Sequence, residues 1–123
     1  DLYEQYKIDE ILESNFSSLS QGTKQKIAAS IVFMFKSPVI ILDEPTAGLD
    51  PYAAELFKEK ILKEKTNKLL LFTTHIISDV TELSDRLIFL HEGRIKYDKI
   101  INEEFNNRDS KMIISEVADY FKG

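Results

Sequence analysis

The sequence predicts an α/β fold, a parallel sheet flanked by helices with a hairpin and a helix at the carboxyl end. Three observations predict it. Val39-Ile40-Ile41-Leu42 and Lys68–Phe72 are short aliphatic runs of the kind that form strands buried on both faces. A helical pattern opened by Asp50-Pro51 lies between them, and strand–helix–strand alternation implies parallel pairing. A further short helix, Ile76–Leu83, leads to a third strand, Arg86–Leu90, and Glu92-Gly93 turns that strand into Arg94–Tyr97.

The elements follow in chain order. Residues 1–14 are polar with apolar residues at Leu2, Tyr3, Tyr6, Ile8, Ile11 and Leu12, which suggests one or two helices ending near Asn15. Phe16-Ser17-Ser18 is a connector. Ser20 to Phe35 is expected to be a long helix, apolar on most sides and therefore largely buried. Ser37-Pro38 stops it, because the residue before proline is disfavoured in the helical region. In the next helix Asp50 is the N-cap and Pro51 the first helical residue. It runs to about Lys65 with Ala54, Phe57, Ile61 and Leu62 as its inner stripe. Its outer face pairs Glu59 with Lys63 and Lys60 with Glu64 at helical spacing, so the Lys58–Lys68 region reads as solvated. His91 reads as a hairpin surface residue. Ser110–Phe121 has the spacing of a terminal amphipathic helix.

The bulk numbers exclude several classes. A chain of 123 residues suffices for one domain with a modest core, and 43% hydrophobic with 30% charged residues is a globular composition. Twenty-one acidic against 16 basic residues leave a net charge of −5, so no nucleic-acid partner is expected from bulk charge. No cysteine is present for disulfides or thiolate metal sites, a composition that fits the cytoplasm. No apolar run approaches the ~20 residues that span a bilayer. Asp1 stands where an initiator Met would, and no signal peptide is visible, so the chain is expected to begin inside a larger protein.

The chemistry concentrates in three blocks. Asp43 and Glu44 stand at the carboxyl end of the first strand, where open α/β sheets bind ligands. Asp43 suits a hard cation such as Mg²⁺, and Glu44 suits a base that orients and deprotonates a water beside a phosphate. Leu19-Ser20-Gln21-Gly22-Thr23 opens a helix, where free N–H groups, a hydroxyl and the dipole favour an anion. A plain Ser N-cap explains the same residues equally well. His75 follows Thr73-Thr74 after the second strand, and a neutral imidazole there can donate one hydrogen bond and accept another.

In this order the three blocks resemble the carboxyl half of an ATP-binding cassette (ABC) ATPase. Leu19–Thr23 is similar to the signature motif, usually Leu-Ser-Gly-Gly-Gln. It departs from it at Gln21 and Thr23 and keeps Ser20 and Gly22. Asp43-Glu44 matches the Walker B motif with its catalytic carboxylate, Ala47-Gly48-Leu49-Asp50 the D-loop, and His75 the switch histidine. The resemblance implies that Ser20, Gln21 and Gly22 meet the ATP held by an opposite subunit and that Asp50 lies at the dimer interface. Asp43 would serve Mg²⁺, and Glu44 and His75 would serve hydrolysis. The implied fold is a partial P-loop-NTPase-type sheet. The implied segments are 1–37 for the end of the helical subdomain with the signature helix, 38–100 for the catalytic core half and 101–123 for a helical tail.

Only four glycines occur, and no G-x-x-x-x-G-K-[ST] cradle for the phosphates is among them. The N-terminal part of the domain is therefore expected to be missing, with its adenine-stacking aromatic and Gln-bearing loop, and the fragment alone is expected to be inactive. The resemblance implies ATP and Mg²⁺, a second ATPase subunit and a transmembrane permease, at the cytoplasmic face of a membrane. Asp43–Pro51 in this short form resembles ATPases that pair with exporter-type permeases. Two alternatives stay open: a soluble ABC ATPase acting on ribosomes or DNA, and a truncated, non-enzymatic interaction module.

Overall fold

The computed structural model describes residues 1–12 and 15–101 and, beyond them, Met112, Ser115 and 117–119. The chain divides into two compact units, Asp1–Thr73 and Thr74–Gly123.

The first unit opens with a short helix, α1 (Leu2–Gln5), capped by Asp1, whose Oδ1 accepts the Tyr3 and Glu4 N–H groups. A single 3₁₀ turn at Ile8–Glu10 stands where the expected helix would continue toward Asn15, and the connector Phe16–Ser18 is itself one 3₁₀ turn. Helix α2 (Gln21–Val32) follows, then strand β1 (Val39–Asp43), helix α3 (Pro51–Glu64) and strand β2 (Leu69–Thr73). Both helix starts are as read from the sequence. Ser20 Oγ accepts the Thr23 N–H at 3.1 Å, and Asp50 Oδ1 accepts the Ala53 N–H at 2.9 Å with Pro51 in the first turn.

The strands pair in parallel, from Val39 opposite Leu69 to Asp43 opposite Thr73. Their burial corrects the expectation of strands covered on both sides. Ile40 and Leu42 are buried, whereas Val39, Ile41, Leu69 and Leu71 all face solvent on the other side, Ile41 at 70%. Parallel sheets bury both faces when helices cover both; among the described residues only one face of this sheet is covered.

Helix α2 is also less buried than its composition suggests. Only Ala29 and Ser30 are inside, while Ile31, Met34 and Phe35 are exposed and the helix ends at Val32. In α3 the interior stripe is Ala53, Phe57 and Ile61, one register back from Ala54 and with Leu62 exposed. The Phe33 ring lies 5.7 Å from that of Phe57, and the Tyr6 hydroxyl donates to the Ala53 carbonyl at 2.9 Å, which ties α1 to the start of α3. Lys60 and Lys68 both pair with Glu64, and all three side chains are mostly covered. That stretch is thus a partly buried ion-pair ladder rather than a wholly solvated face.

The second unit holds helix α4 (Ile77–Leu83) and strands β3 (Arg86–His91) and β4 (Arg94–Ile100). The Thr74 hydroxyl accepts the Ile76 N–H at 3.0 Å just before α4. β3 and β4 form an antiparallel hairpin, longer than expected on its second arm, with an irregularity between Phe89 and Leu90. Its turn puts Glu92 at φ 49° and Gly93 at φ 69°, the paired positive φ values that match the twist of two-residue hairpins. Arg86 grips Asp98 across the hairpin through Nε at 2.8 Å and Nη2 at 2.7 Å. His91 ends β3 with its ring stacked on Phe89, at the hairpin position read for it. Val80 and Ile101 form this unit's core with Ile77, Leu87 and Val117 against them. Met112, Ser115 and 117–119 are helical; the rest of the helix expected over Ser110–Phe121 lies outside the described residues.

Candidate functional site

The site is built where β1 ends. Asp43 and Thr73 are the last paired residues of the two strands, and the Thr73 hydroxyl donates to Asp43 Oδ1 at 2.5 Å. The carboxylate is exposed and held from one side. The sequence alone gives Thr73 no role of its own; it stands opposite Asp43 because it ends a five-residue strand paired in register with the five residues of β1.

At Glu44 the chain leaves the strand abruptly. Its φ is 46°, in the left-handed region that residues with a Cβ rarely adopt. Such a conformation costs on the order of 1–3 kcal/mol and persists where surrounding bonds impose it. The Glu44 N–H donates to the Thr73 carbonyl at 3.1 Å and lies 3.2 Å from the Thr73 hydroxyl. The Glu44 carbonyl accepts the Ala47 N–H at 3.1 Å, closing a turn over buried Pro45 and Thr46. A second turn follows, with the Leu49 N–H on the Thr46 carbonyl. Gly48 sits at φ 79°, which favours glycine. Nothing in the local sequence signals a left-handed glutamate.

The first turn of α2 docks on this segment. A Cβ added at Gly22 would lie 2.7 Å from the Gly48 carbonyl oxygen, so the close backbone approach needs glycine. One helical turn on, Gln25 Nε2 donates to the Pro45 carbonyl at 3.0 Å and reaches the Glu44 carbonyl at 3.4 Å. Lys26 Nζ lies 2.6 Å from Asp50 Oδ2. Lys26 first, and then the Ala53 N–H, hold the Asp50 carboxyl below the usual range. Asp50 thus caps α3 and pairs with α2 at once. The sequence alone assigns no role to Gln25 or Lys26. The available signal was spacing, since residues three and four beyond Gly22 share its helix face.

Ser20 Oγ lies 2.8 Å from Thr23 Oγ1 and also accepts the Thr23 N–H, so the N-cap reading is realised. Thr23, one of the two departures from the usual signature pattern, is itself the partner of the Ser20 hydroxyl. Ser20 and Gln21 are exposed. His75 is exposed in the bend before α4 and belongs to the second unit. The first unit therefore brings Gly22, Gln25 and Lys26 to the segment Glu44–Asp50, and Thr73 to Asp43.

Among the described residues no cluster of three or more His, Asp or Glu side chains could hold a metal ion. Asp43 and the Thr73 hydroxyl offer a small, all-oxygen set. That fits Mg²⁺, which prefers oxygen ligands and takes most of them from water and phosphate. An open cleft of about 330 Å³ lies elsewhere, lined by Leu2, Gln5, Leu56 and Glu59 among others. No described helix is long and apolar enough to cross a membrane.

Comparison with known proteins adds the following. A family profile described as "AAA domain, putative AbiEii toxin, Type IV TA system" matches residues 5–78. Human ATP-binding cassette sub-family A member 2 is 42% identical over 79 residues, 64% of this chain and 3% of that protein. A putative ABC transporter ATP-binding protein of Methanosarcina acetivorans is 34% identical over 110 residues, 85% of this chain and 34% of its own length. The ABC transporter ATP-binding protein NatA of Bacillus subtilis is 31% identical over 98 residues, 79% of this chain and 40% of its own. A solved ATP-binding subunit of an ABC transporter superposes with a TM-score of 0.80 at 26% identity, covering 95% of this chain and 51% of that one. A dimeric, post-hydrolysis ATP-binding cassette bound to ADP and Pi gives a TM-score of 0.63 at 27% identity, covering 72% of this chain and 38% of that one. The chain spans 40% or less of the length of these three curated relatives.

Proposed function

The chain belongs to the ATP-binding cassette ATPase family, with an α/β fold of the P-loop NTPase type, and we propose that it supplies the carboxyl half of one ATP-hydrolysing subunit of an ABC transporter, one paired with an exporter-type permease. The observation that carries this reading is the pair Asp43-Glu44 at the carboxyl end of a parallel strand. The first is steadied by the Thr73 hydroxyl, and the second is turned out of the strand by a left-handed backbone.

Within a complete cassette each residue has one task. Asp43 and Thr73 would hold Mg²⁺, which supplies charge neutralisation to the phosphates of ATP. Glu44 accepts a proton from the attacking water as its oxygen bonds to the γ-phosphorus. The bond to the bridging oxygen breaks, leaving ADP and phosphate. His75 bonds the γ-phosphoryl group. Ser20, Gln21 and Gly22 present the start of α2 to the ATP of a second subunit, and Asp50 lies at the same interface. A membrane permease would be the other partner, with the cassette peripheral on the cytoplasmic face. The ABC transporter ATP-binding proteins among the relatives, and the dimeric neighbour bound to ADP and Pi, support this reading.

Glu44→Gln in the complete cassette tests it. The amide keeps the shape and cannot take the proton. Mg-ATP turnover is expected to fall roughly 10²–10⁴-fold, with ATP binding retained in an equilibrium binding assay. Turnover close to that of the parent would move the base elsewhere.

A further inference from the structure

Glu44 holds a backbone conformation that its own side chain disfavours, and the bonds that impose it come from two directions. From β2, the Thr73 carbonyl accepts the Glu44 N–H. From α2, the Gln25 amide reaches over the two carbonyls that follow, Pro45 at 3.0 Å and Glu44 at 3.4 Å. Pro45 is buried, and a donor beside a buried residue's carbonyl is worth more than at the surface. Gly22 and Lys26, on the same face of α2, contact Gly48 and Asp50 further along the segment. Gln25 is thus the end of this face that reaches the peptide carrying Glu44.

We propose that Gln25 is a positioning residue for ATP hydrolysis, its side-chain amide fixing the left-handed turn that aims the Glu44 carboxylate. The proposal rests on Glu44 being the base. It follows that the helix whose first turn faces the opposite subunit also sets the geometry of the base in its own subunit. A purely structural glutamine would pin α2 to the core. This one pins the single peptide whose orientation decides where the base points. Loss of the amide leaves Asp43, Thr73 and the nucleotide contacts in place, so binding and turnover separate.

The test uses the complete cassette with three variants beside the parent. Gln25→Met keeps the length and volume and loses the donor. Gln25→Lys restores a donor on a chain of similar reach. Glu44→Gln reports on the base itself. Gln25→Met is expected to lower kcat by about 10- to 100-fold, the scale of a small misplacement of a catalytic group. KM for Mg-ATP should stay near the parent's, the thermal midpoint should fall by only a few degrees for the lost buried hydrogen bond, and Gln25→Lys should recover most of kcat. A parental kcat in Gln25→Met overturns the proposal. So does a kcat loss accompanied by an equal loss of ATP affinity, or a failure of Gln25→Lys to recover kcat while folded to the parental midpoint. Glu44→Gln separates the two claims. If it retains turnover, the base assignment fails; if it loses turnover while Gln25→Met does not, the positioning role alone fails.

Discussion

Gly22 shows how much one missing methyl group can decide. Its neighbour at 2.7 Å from a built Cβ is a backbone carbonyl, that of Gly48, and not a side-chain tip that could swing aside. Any larger residue must push α2 away from the segment that carries Glu44 and Asp50. Gly22→Ala is therefore expected to destabilise the complete cassette by roughly 1–3 kcal/mol, the range for overpacking a tight contact, measured by chemical denaturation. Unchanged stability would show that the two backbones have room to part. Asp50 works at the same scale with a different force. Its carboxylate caps α3 and accepts Lys26, and both interactions favour the ionised form.

Among elements, the tie between α1 and α3 has a defined pH signature. Tyr6 is buried and donates to the Ala53 carbonyl. Burial first, and then the Asp50 carboxylate, push its phenol up to about 12 from an ordinary 10.0. The folded chain holds the phenol proton more tightly than the unfolded chain does. Stability linked to Tyr6 is therefore complete below pH 10 and is lost as pH rises toward about 12. Denaturation followed across that window should show the parent losing stability faster than Tyr6→Phe. At neutral pH the variant should already be weaker by about 1 kcal/mol for the lost hydrogen bond. Parallel pH profiles for the two proteins would contradict the buried-phenol account.

Elements whose signals are local were legible in the sequence. Val39–Leu42 is a strand because four aliphatic residues run together, Asp50-Pro51 starts a helix because each residue suits its position, and Glu92-Gly93 turns a hairpin. The parallel pairing of β1 and β2 follows from the helix between them. What misled the reading depends on distant partners. The apolar run of β1 suggests cover on both faces, and these residues cover one. The inner stripe of α3 includes Ala53 rather than Ala54, and the Tyr6 hydroxyl that reaches the Ala53 carbonyl comes from 47 positions away. The carboxylates and the glycine turn were readable from motif order. Gln25, Lys26 and Thr73 were not, since each gains its role only when α2 or β2 docks on the segment after β1.

At the scale of the whole molecule, the described sheet has the composition of a buried layer and a solvent-facing apolar side at Val39, Ile41, Leu69 and Leu71. The solved ABC subunit matching nearly the whole chain is about twice as long, with this chain covering 51% of it. The account holds that these 123 residues carry the hydrolytic carboxylate and the signature turn, while the phosphate cradle, absent from this sequence, comes from the rest of a cassette. Phosphate release under excess Mg-ATP, measured side by side on the 123-residue chain and the complete cassette, tests this most directly. The complete cassette should turn over on the order of 1 s⁻¹ or faster, within the ordinary enzymatic range, and the chain alone should release no phosphate above background. Turnover by the chain alone at the cassette's rate, or none by either, would contradict the account.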